Sequence, residues 1–438
     1  MYERSILLPP EPYEDLDAYR AAGGGDGLRR SHEIGPEETI DEVRASGLRG
    51  RGGAGFPTAI KWAGLRSEDA DRKYLVGNAA EGEPGTFKDR WLIRYNPYQL
   101  LEGLAIGAFA IGVDEVYIGT KARYQKEVQR LVDAAAEMTD AGFLGDIKFS
   151  LVEGPDDYLL GEEKGLLESI EGNQPLPRLY PPYIRGLYAD QAFSNPAVVD
   201  NVETLCNIPH ILREGSAWYR SLGTERSPGT MIFSISGDVQ REAIVELEMG
   251  TPLSYLINDV AGGFAPGRSF QAAFSGVSNR PIRPEHIDVP MDFESLKAAG
   301  AGIGSAGFMA YDDTACMAEI GAVLSKFLYE GSCGQCPSCK LGTEVLAGMF
   351  ADLAAGKARP GILENMDAWL VKITENNRCG LPAGQQALAD GILTYFRDDL
   401  YTHLDGSPCP NPGHVRLPKF VDYLPNEGRF VYWDEVYG

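Results

Sequence analysis

The stretch PYQLLEGLAIGAFAIGVDEVYIGTK, residues 97–121, decides the fold of this chain. Residues 98–111 form a long apolar run that predicts a buried helix, and residues 115–119 predict a strand directly after it. Outward from this pair, residues 74–76 and 147–152 predict two further strands, with an amphipathic helix between the second and third strands. Strands that alternate with helices in this way indicate an α/β layer with a largely parallel sheet.

The segments before and after the α/β layer have sequence patterns that differ from those of the layer itself. Residues 1–35 are rich in Pro, Gly and charge, and we expect an irregular lead-in. Residues 36–46 predict a short helix that Gly47 ends, and the α/β domain is expected to extend over 36–227. Strand-like and helix-like segments then predict a small α+β domain over 228–308.

The C-terminal part is expected to be helical. Asp312 or Asp313 is predicted to cap a first helix, and the apolar spacing that follows favours four helices in a bundle over 309–405. Residues 406–438 form a C-terminal extension.

Composition narrows the class of protein. The chain has 438 residues and a formal net charge of −23, which disfavours nucleic acid and anionic membrane surfaces as partners. No apolar run approaches the roughly 18 residues that a membrane span needs, and we find no secretory signal pattern. We therefore expect a cytoplasmic protein without direct membrane contact, in which clustered cysteines bind metal rather than form disulfides.

Four of the seven cysteines form a distinctive pattern. Cys333, Cys336 and Cys339 follow a C-x2-C-x2-C spacing, and Cys379 lies downstream between two predicted helices. Three thiolates at this pitch wrap one face of a four-iron cluster, and a distant fourth closes it. Zinc is the alternative, but zinc sites usually pair two short Cys or His units, and no His lies near this run.

The other three cysteines are solitary. We interpret Cys206, Cys316 and Cys409 as buried small hydrophobes or incidental thiols.

A glycine-rich loop, Gly50 to Gly55, satisfies G-x-G-x-x-G, but a helix rather than a strand precedes it, unlike a dinucleotide fingerprint. Backbone without side chains can approach a phosphate or a flat ring, and its amides can donate to an anion. Arg51 and Lys61 add positive charge for a phosphate. A purely structural loop is the alternative for this motif alone.

The loop and the cysteines belong to a longer ordered series that resembles the NADH-binding subunit of respiratory complex I and the related diaphorase subunits of NAD-linked hydrogenases and formate dehydrogenases. The resemblance covers roughly residues 36–400. The series consists of GLRGRGGAGFPT (47–58) with Lys61-Trp62, Asn78-Ala79, Glu83 to Arg90, Tyr158, Gly161-Glu162-Glu163, Glu171-Gly172, Pro177 to Leu179, Pro181 to Tyr183, Asn201 to Leu205, and the four cysteines.

This resemblance implies a Rossmann-like FMN domain, a ubiquitin-like domain and a helical bundle that holds a [4Fe–4S] cluster. It implies an FMN site of Gly50, Arg51, Gly52, Gly53, Lys61, Asn78, Glu81, Gly82, Tyr158, Gly161, Glu162, Asp200, Asn201 and Thr204. It also implies an NADH site of Ala54, Phe56, Glu83, Glu163 and Tyr183, beside Lys61. No catalytic residue is expected on the protein, because FMN does the chemistry.

Some positions depart from the family pattern. Ala80 and Gly82 replace an Asp and a Ser, Leu160 replaces a Cys, and Asp200 replaces the first of two Asn. Each change alters a polar contact at the flavin, and such a contact is worth on the order of 1 kcal/mol.

The resemblance implies an electron-transfer subunit that oxidises NADH with FMN and passes single electrons to the cluster. Its expected partners are a thioredoxin-like [2Fe–2S] subunit and a further iron–sulfur subunit. A carboxylate at Glu162 or Glu163 against the adenosine ribose favours NAD over NADP. Two alternatives stay open: an NAD(P)-reducing or electron-bifurcating diaphorase, and a cluster scaffold that has lost the flavin.

Overall fold

The computed structural model describes residues 2–438, and these form two compact units. The first unit comprises the chain up to Gly82, Lys88–Ile232 and Glu246–Gly250. The second comprises Glu83–Phe87, Phe233–Val245 and Thr251–Gly438. The domain boundaries expected at residues 36, 228, 309 and 406 stay predictions.

The first unit alternates helices and strands along most of its length. Its elements are α1 (Leu16–Ala21), α2 (Asp26–Ile34), α3 (Pro36–Ser46), α4 (Thr58–Ser67), β1 (Tyr74–Ala79), α5 (Lys88–Tyr95), α6 (Pro97–Ile111), β2 (Glu115–Lys121), α7 (Gln125–Asp140), β3 (Lys148–Gly154), a 3-10 turn (Tyr158–Gly161), α8 (Glu163–Ile170), β4 (Ala197–Asn201), α9 (Val202–Glu214) and α10 (Ser216–Arg220).

Strands β1 to β4 form a parallel sheet in the order β3-β2-β1-β4. Helices cover both faces, so neighbouring residues of β1 pack in opposite directions. Tyr74 and Val76 join the cluster that contains Leu166 of α8, while Gly77 lies against Leu104 of α6. The predicted α/β class with a parallel sheet is confirmed, but the fourth strand, β4, escaped prediction because its apolar run, Ala197–Val199, is so short.

Helices α6 and α9 approach each other closely at Gly103. A Cβ atom added to Gly103 would lie 2.2 Å from the carbonyl oxygen of Leu205, which is closer than any real Cβ contact. Glycine is therefore required by packing rather than by backbone conformation, because Gly103 lies inside a regular helix.

The expectation of an irregular lead-in over residues 1–35 was wrong from Leu16 onward, where the structure has the helices α1 and α2. Asp15 caps α1 by accepting from the amide of Ala18, and the buried carboxylate of Glu102 accepts from the amides of Gly25 and Leu28 at the start of α2. The partner of α2 lies far away in sequence, so no local pattern could reveal it.

The second unit contains most of a second sheet and the C-terminal helices. Its elements, some of which begin or end in the first unit, are β5 (Thr230–Gly237), β6 (Ala243–Glu248), α11 (Leu253–Tyr255) with a π-helical turn (Leu256–Val260), β7 (Phe270–Ser275), a 3-10 turn (Pro284–His286), α12 (Phe293–Ala298), β8 (Gly307–Asp312), α13 (Met317–Gly331), α14 (Pro337–Ala354), α15 (Ile362–Lys372), α16 (Leu381–Tyr395), α17 (Arg397–Tyr401), β9 (Phe420–Leu424), β10 (Arg429–Tyr432) and α18 (Trp433–Tyr437).

The second sheet has the order β6-β5-β8-β7, with β5 parallel and β7 antiparallel to β8. Beyond it, α13 packs on α14 and α16, and α15 packs on α14 and α16, so the expected helical C-terminal region is present. The predicted cap was wrong. Asp312 ends β8 and binds Thr314, and the first helix begins only at Met317 with Cys316 as its N-cap.

We predict that Gly103→Ala lowers the free energy of unfolding by about 1–3 kcal/mol, because the new methyl group has to push α6 and α9 apart. Denaturant titration followed by circular dichroism measures this. Gly64→Ala is the matched control, since its Cβ would meet nothing within 4 Å in helix α4, and helix propensity should raise stability there by up to about 1 kcal/mol. Equal effects of the two substitutions would contradict the packing argument.

Candidate functional site

Several predicted site residues meet at the carboxyl end of the parallel sheet. Strand order reverses between β1 and β4, where Asn78 is paired in register with Asn201. Ligands of open α/β sheets bind in the crevice outside such a switch point. Glu81 and Gly82 follow β1 directly, and Asp200 lies at the end of β4.

The glycine-rich loop lies against the end of β4. The amide of Arg51 donates to the Thr204 hydroxyl at 2.8 Å, and a Cβ on Gly52 would lie 3.0 Å from Cβ of Asn201. The loop closes on itself through the Gly50 amide and the Phe56 carbonyl oxygen, 2.9 Å apart. Gly52 is exposed, so its backbone is accessible to a ligand. This cradle fits a phosphate or a planar ring.

The turn before α8 closes the third side of the crevice. Asn78 donates from Nδ2 to the Gly161 carbonyl oxygen at 2.8 Å, and a Cβ on Gly161 would lie 3.0 Å from the Ala80 carbonyl oxygen. The Glu162 carboxylate caps α8 by accepting from the amides of Lys164 and Gly165. Burial raises the pKa of Glu162. Tyr158 and Glu163 flank this turn and are partly exposed.

The side chain of Arg51 does not have the role expected of it. Its guanidinium is buried and donates to the hydroxyl of Tyr219 and to the carbonyl oxygens of Thr230 and Pro228. The expectation that its charge faces a phosphate therefore does not fit the structure. Only its backbone amide belongs to the loop.

The carboxylate of Glu81 is similarly engaged by protein groups. It accepts from the amides of Lys88 and Asp89 at the start of α5, and from Nε of Arg90 at 2.9 Å. It therefore anchors α5, and the backbone carbonyl oxygen of Glu81 accepts from the hydroxyl of Tyr124.

Lys61 and Asp200 form a pair beneath the loop. The Lys61 ammonium donates to the Val199 carbonyl oxygen at 2.8 Å and lies 3.6 Å from Oδ1 of Asp200. Asp200 is buried and accepts from Nε1 of Trp62 at 2.8 Å. Asp200, which stands where the family pattern has Asn, therefore has two partners for its carboxylate, Lys61 and Trp62. Both lie shortly after the glycine loop in sequence.

Sequence reasoning missed a buried charge cluster behind the site. The Lys88 ammonium lies 2.8 Å from Asp89 and 2.7 Å from Glu203, and Asn201 donates to Asp89 at 2.7 Å. Burial raises the pKa of Asp89 to about 6. Burial would lower the pKa of Lys88, but the surrounding carboxylates more than compensate and hold it above its ordinary value. The only sequence signal was the Lys-Asp-Arg run, 88–90, in the motif series.

The residues predicted for NADH are less closely grouped. Phe56 and Tyr183 are exposed aromatic side chains, 48% and 64% accessible, and Ala54 is exposed on the glycine loop. Glu83 belongs to the second unit, where it accepts from the amide of Val277 at 2.7 Å.

The cysteine run lies at the start of α14. Cys336 is the N-cap, Cys339 lies in the first turn, and Gly334 adopts a left-handed conformation with φ of 78°. Side-chain donors approach the sulfurs, with Ser332 Oγ 3.4 Å from Cys339 Sγ and Gln335 Nε2 3.5 Å from Cys333 Sγ. A helix N-terminus favours thiolates, so the position suits metal ligands.

The loop that carries Cys379 lies beside this run. Ser338, between Cys336 and Cys339, donates to the Glu375 carbonyl oxygen at 2.6 Å and lies 3.0 Å from the side-chain amide of Asn377. The loop between α15 and α16 is thus fastened to the start of α14. The three cysteines around the start of α14 and Cys379 on the neighbouring loop offer four thiol ligands, a donor set that fits an iron–sulfur cluster.

Among residues 2–438, no helix combines the length and apolar character required to cross a membrane.

Comparison with known protein families gives two matches. Residues 43–210 match the Nuo51 FMN-binding domain, and residues 319–403 match the iron–sulfur binding region of NADH-ubiquinone oxidoreductase F. The first match contains the glycine loop and the strand ends, and the second contains all four clustered cysteines.

Individual proteins resemble the chain over most of its length. The F 2 subunit of NADH-quinone oxidoreductase in Rhizobium meliloti (strain 1021) is 39% identical over 90% of this chain and 96% of its own. The F subunit of the same enzyme in Streptomyces coelicolor is 37% identical, over 90% and 89% respectively. A chain of the crystal structure of an NAD+-reducing [NiFe]-hydrogenase in the air-oxidized state superposes with a TM-score of 0.79 at 31% identity, over 93% of this chain and 69% of that one.

We predict that Lys88→Met destabilises the protein by about 3–5 kcal/mol, because it leaves Asp89 and Glu203 buried without a counter-ion. Denaturant titration at neutral pH measures the loss. Lys326→Met is the control, because Lys326 is 71% exposed and lies 3.7 Å from Glu330; it should change stability by less than about 0.5 kcal/mol. A Lys88→Met variant as stable as the parent would show that the cluster contributes nothing.

Proposed function

Because this chain belongs to the family of NADH-quinone oxidoreductase F subunits, we propose that it oxidises NADH with FMN and passes the electrons to a [4Fe–4S] cluster. One combination of features supports this most strongly. An open glycine loop lies at a switch point of a parallel sheet, and the same chain carries three cysteines where α14 begins, with the loop of Cys379 bound to that helix start through Ser338. The two matching family regions contain these two features.

FMN is proposed to bind against the bare backbone of Gly50, Gly52 and Gly53, with Asn78 and Asn201 at the strand ends beneath it. When bound, FMN accepts a hydride from NADH and gives up electrons one at a time. The protein supplies position and electrostatics. Asn201 is held by Asp89, and Thr204 fixes the loop through the amide of residue 51, so the cradle is rigid before any ligand arrives.

The remaining FMN contacts, Gly82, Tyr158, Gly161, Lys61 and Asp200, are proposed to line the same crevice. Glu81, Glu162 and Arg51 are proposed to contribute by anchoring the elements around the crevice, since their side chains are engaged by protein groups.

NADH is proposed to stack beside the exposed rings of Phe56 and Tyr183, with Ala54 on the loop. The predicted contact Glu83 belongs to the second unit, where its carboxylate accepts from the amide of Val277. Glu162 caps α8, so Glu163, whose side chain is partly exposed, is the better candidate for the adenosine ribose hydroxyls. A carboxylate there repels a 2′-phosphate, which favours NAD over NADP.

The [4Fe–4S] cluster is proposed to bind Cys333, Cys336, Cys339 and Cys379. Ser332 and Gln335 donate towards two of these sulfurs, and such contacts tune a cluster's reduction potential. Zinc would require a different ligand spacing.

The finer architecture is also part of the proposal. The parallel β5–β8 pair with β7 antiparallel to β8 supports a ubiquitin-like domain over 228–308, and the mutual packing of α13 to α16 supports a four-helix bundle over 309–405. The FMN domain would extend over 36–227.

The chain is proposed to work inside a larger complex in the cytoplasm. Its relatives are named as subunits, which supports association with other chains. We propose that these include a thioredoxin-like [2Fe–2S] subunit and a further iron–sulfur subunit. A second candidate function, NAD+ reduction in a hydrogenase-type or bifurcating complex, is favoured by the likeness to an NAD+-reducing hydrogenase chain. NAD+ reduction by the native complex with reduced ferredoxin would favour this second candidate.

We predict that the protein purifies with FMN and reduces ferricyanide with NADH, and that Gly52→Ala weakens FMN binding by on the order of tenfold or more. The added methyl group would lie 3.0 Å from Cβ of Asn201, so the loop or the asparagine at the proposed site has to shift. Flavin fluorescence after release measures the FMN content. Gly64→Ala should bind FMN like the parent protein. Iron and sulfide without any flavin in the parent would instead indicate a cluster scaffold.

We predict that Cys379→Ser abolishes the intact four-iron cluster while FMN stays bound. Iron and acid-labile sulfide analysis and electron paramagnetic resonance of the reduced protein measure the loss. Cys206→Ser is the control, because Cys206 is buried in helix α9 of the first unit. A full iron content in Cys379→Ser would exclude Cys379 as a required ligand.

A further inference from the structure

We propose that Asp238, Asp312 and His414 bind a divalent transition-metal ion at the carboxyl ends of strands β5 and β8. All three residues lie in the second unit, and none of them belongs to the proposed flavin, NADH or cluster sites. Each residue offers one ligand atom, and these three atoms all lie within 4.8 Å of one another. Two carboxylates and an imidazole therefore converge as a mixed oxygen and nitrogen donor set.

The second sheet places the two carboxylates together. Strands β5 and β8 are parallel neighbours, with Gly237 paired to Ala310, so their carboxyl ends lie side by side. Asp238 directly follows β5, and Asp312 is the last residue of β8. The backbone amide of Asp312 donates to Oδ2 of Asp238 at 3.0 Å. This bond fixes Asp238 and leaves its Oδ1 towards His414.

The ring nitrogen of His414 is the observation that points to an ion. This Nε2 atom is buried and lies 2.9 Å from Oδ1 of Asp238, yet it makes no hydrogen bond within residues 2–438. The two atoms are thus in contact without a proton aligned between them. Two ligands at right angles around an octahedral ion, each about 2.0–2.1 Å from it, are roughly 3 Å apart. The observed separation fits two neighbouring ligands of one metal ion.

Asp312 completes the donor set from a buried position. It is only 5% exposed, and its Oδ1 accepts from the amide and the hydroxyl of Thr314. Outer contacts of this kind orient a carboxylate that ligates a metal. Burial raises the pKa of Asp238, so the protein groups around it do not fully compensate its charge. A divalent cation between the two carboxylates would supply that compensation.

The donor types decide the class of ion. Magnesium and calcium prefer oxygen ligands alone, whereas an imidazole beside carboxylates suits ions such as Mn²⁺ and Zn²⁺. His414 lies in the segment 402–419, between α17 and β9. The proposed ion would therefore fasten this segment to the ends of β5 and β8, which is a structural role.

Titration of the unmodified, full-length protein with Mn²⁺ tests the site, with free Mn²⁺ measured by electron paramagnetic resonance. We expect about one tight site per chain, from which Zn²⁺ displaces Mn²⁺ and an equal concentration of Mg²⁺ does not. Zinc or manganese already present at about one ion per chain counts as occupancy of this site. The net charge of −23 predicts a background of weak binding elsewhere. Absence of any tight site overturns the proposal, and so does displacement by Mg²⁺ as effective as that by Zn²⁺.

Substitutions assign the tight site to these residues. His414→Gln and Asp312→Asn should each weaken its Mn²⁺ binding by at least roughly tenfold. They should also abolish the rise in melting temperature that Mn²⁺ gives the parent protein. Asp313→Asn is the matched control, because it removes the same charge from the next residue, whose side chain is 40% exposed and lies 3.8 Å from Arg268. It should bind Mn²⁺ like the parent. Unchanged binding in His414→Gln overturns the assignment, and so does an equal loss in Asp313→Asn.

Circular dichroism, together with iron and FMN analysis, separates loss of the metal site from misfolding. The side chain of His414 is 24% exposed and lies outside the helices and strands, so we expect His414→Gln to fold even where Asp312→Asn does not. Its iron and FMN contents should match those of the parent. Tight Mn²⁺ binding in a parent protein without FMN or iron would support the metal site and count only against the proposed redox function.

Discussion

The buried contact between Lys88 and Glu203 holds the candidate flavin site together. Lys88 begins α5 and Glu203 lies in the first turn of α9, so one ion pair joins two helices at the carboxyl end of the sheet. Glu203 also accepts from the amide of Ile232, and Asp89 beside Lys88 holds Asn201. Charges removed from water are costly unless each has a partner. The cluster therefore holds Asn201 in place, next to Gly52 of the glycine loop.

In the second unit, the side chains that have to be positioned are cysteine sulfurs rather than carboxylates. Cys336 and Cys339 lie where α14 begins, and Ser338 fastens the loop that brings Cys379 near them. Helix ends offer unpaired amides that favour thiolates, and loops between helices can be drawn together by a few hydrogen bonds. The same logic applies at α13, where Cys316 is the N-cap. Cys316, Cys336 and Cys339 thus lie at helix starts.

Local patterns predicted the regular elements well and their partners poorly. The apolar helix Pro97–Ile111 and the helix Pro36–Ser46 lie where periodicity and capping placed them, because each carries its own boundary signals. The lead-in was misjudged because the start of α2 depends on Glu102, some 75 residues away. Asp312 was misjudged as a cap because a strand that ends in Asp has the same local signature as a helix start.

The sequence by itself determined the α/β class, the glycine loop and the four cysteine ligands proposed for the cluster. Hydrophobic periodicity, glycine content and cysteine spacing can each be recognised within a short stretch of sequence. Only the tertiary structure decided what each charge does. In the folded chain the guanidinium of Arg51 is buried and donates to Tyr219, and the carboxylate of Glu81 accepts from Arg90. The fold also brought Cys316 beside His403 across 87 positions of sequence. The partner of a buried polar group is set by packing between distant segments, and no local pattern records it.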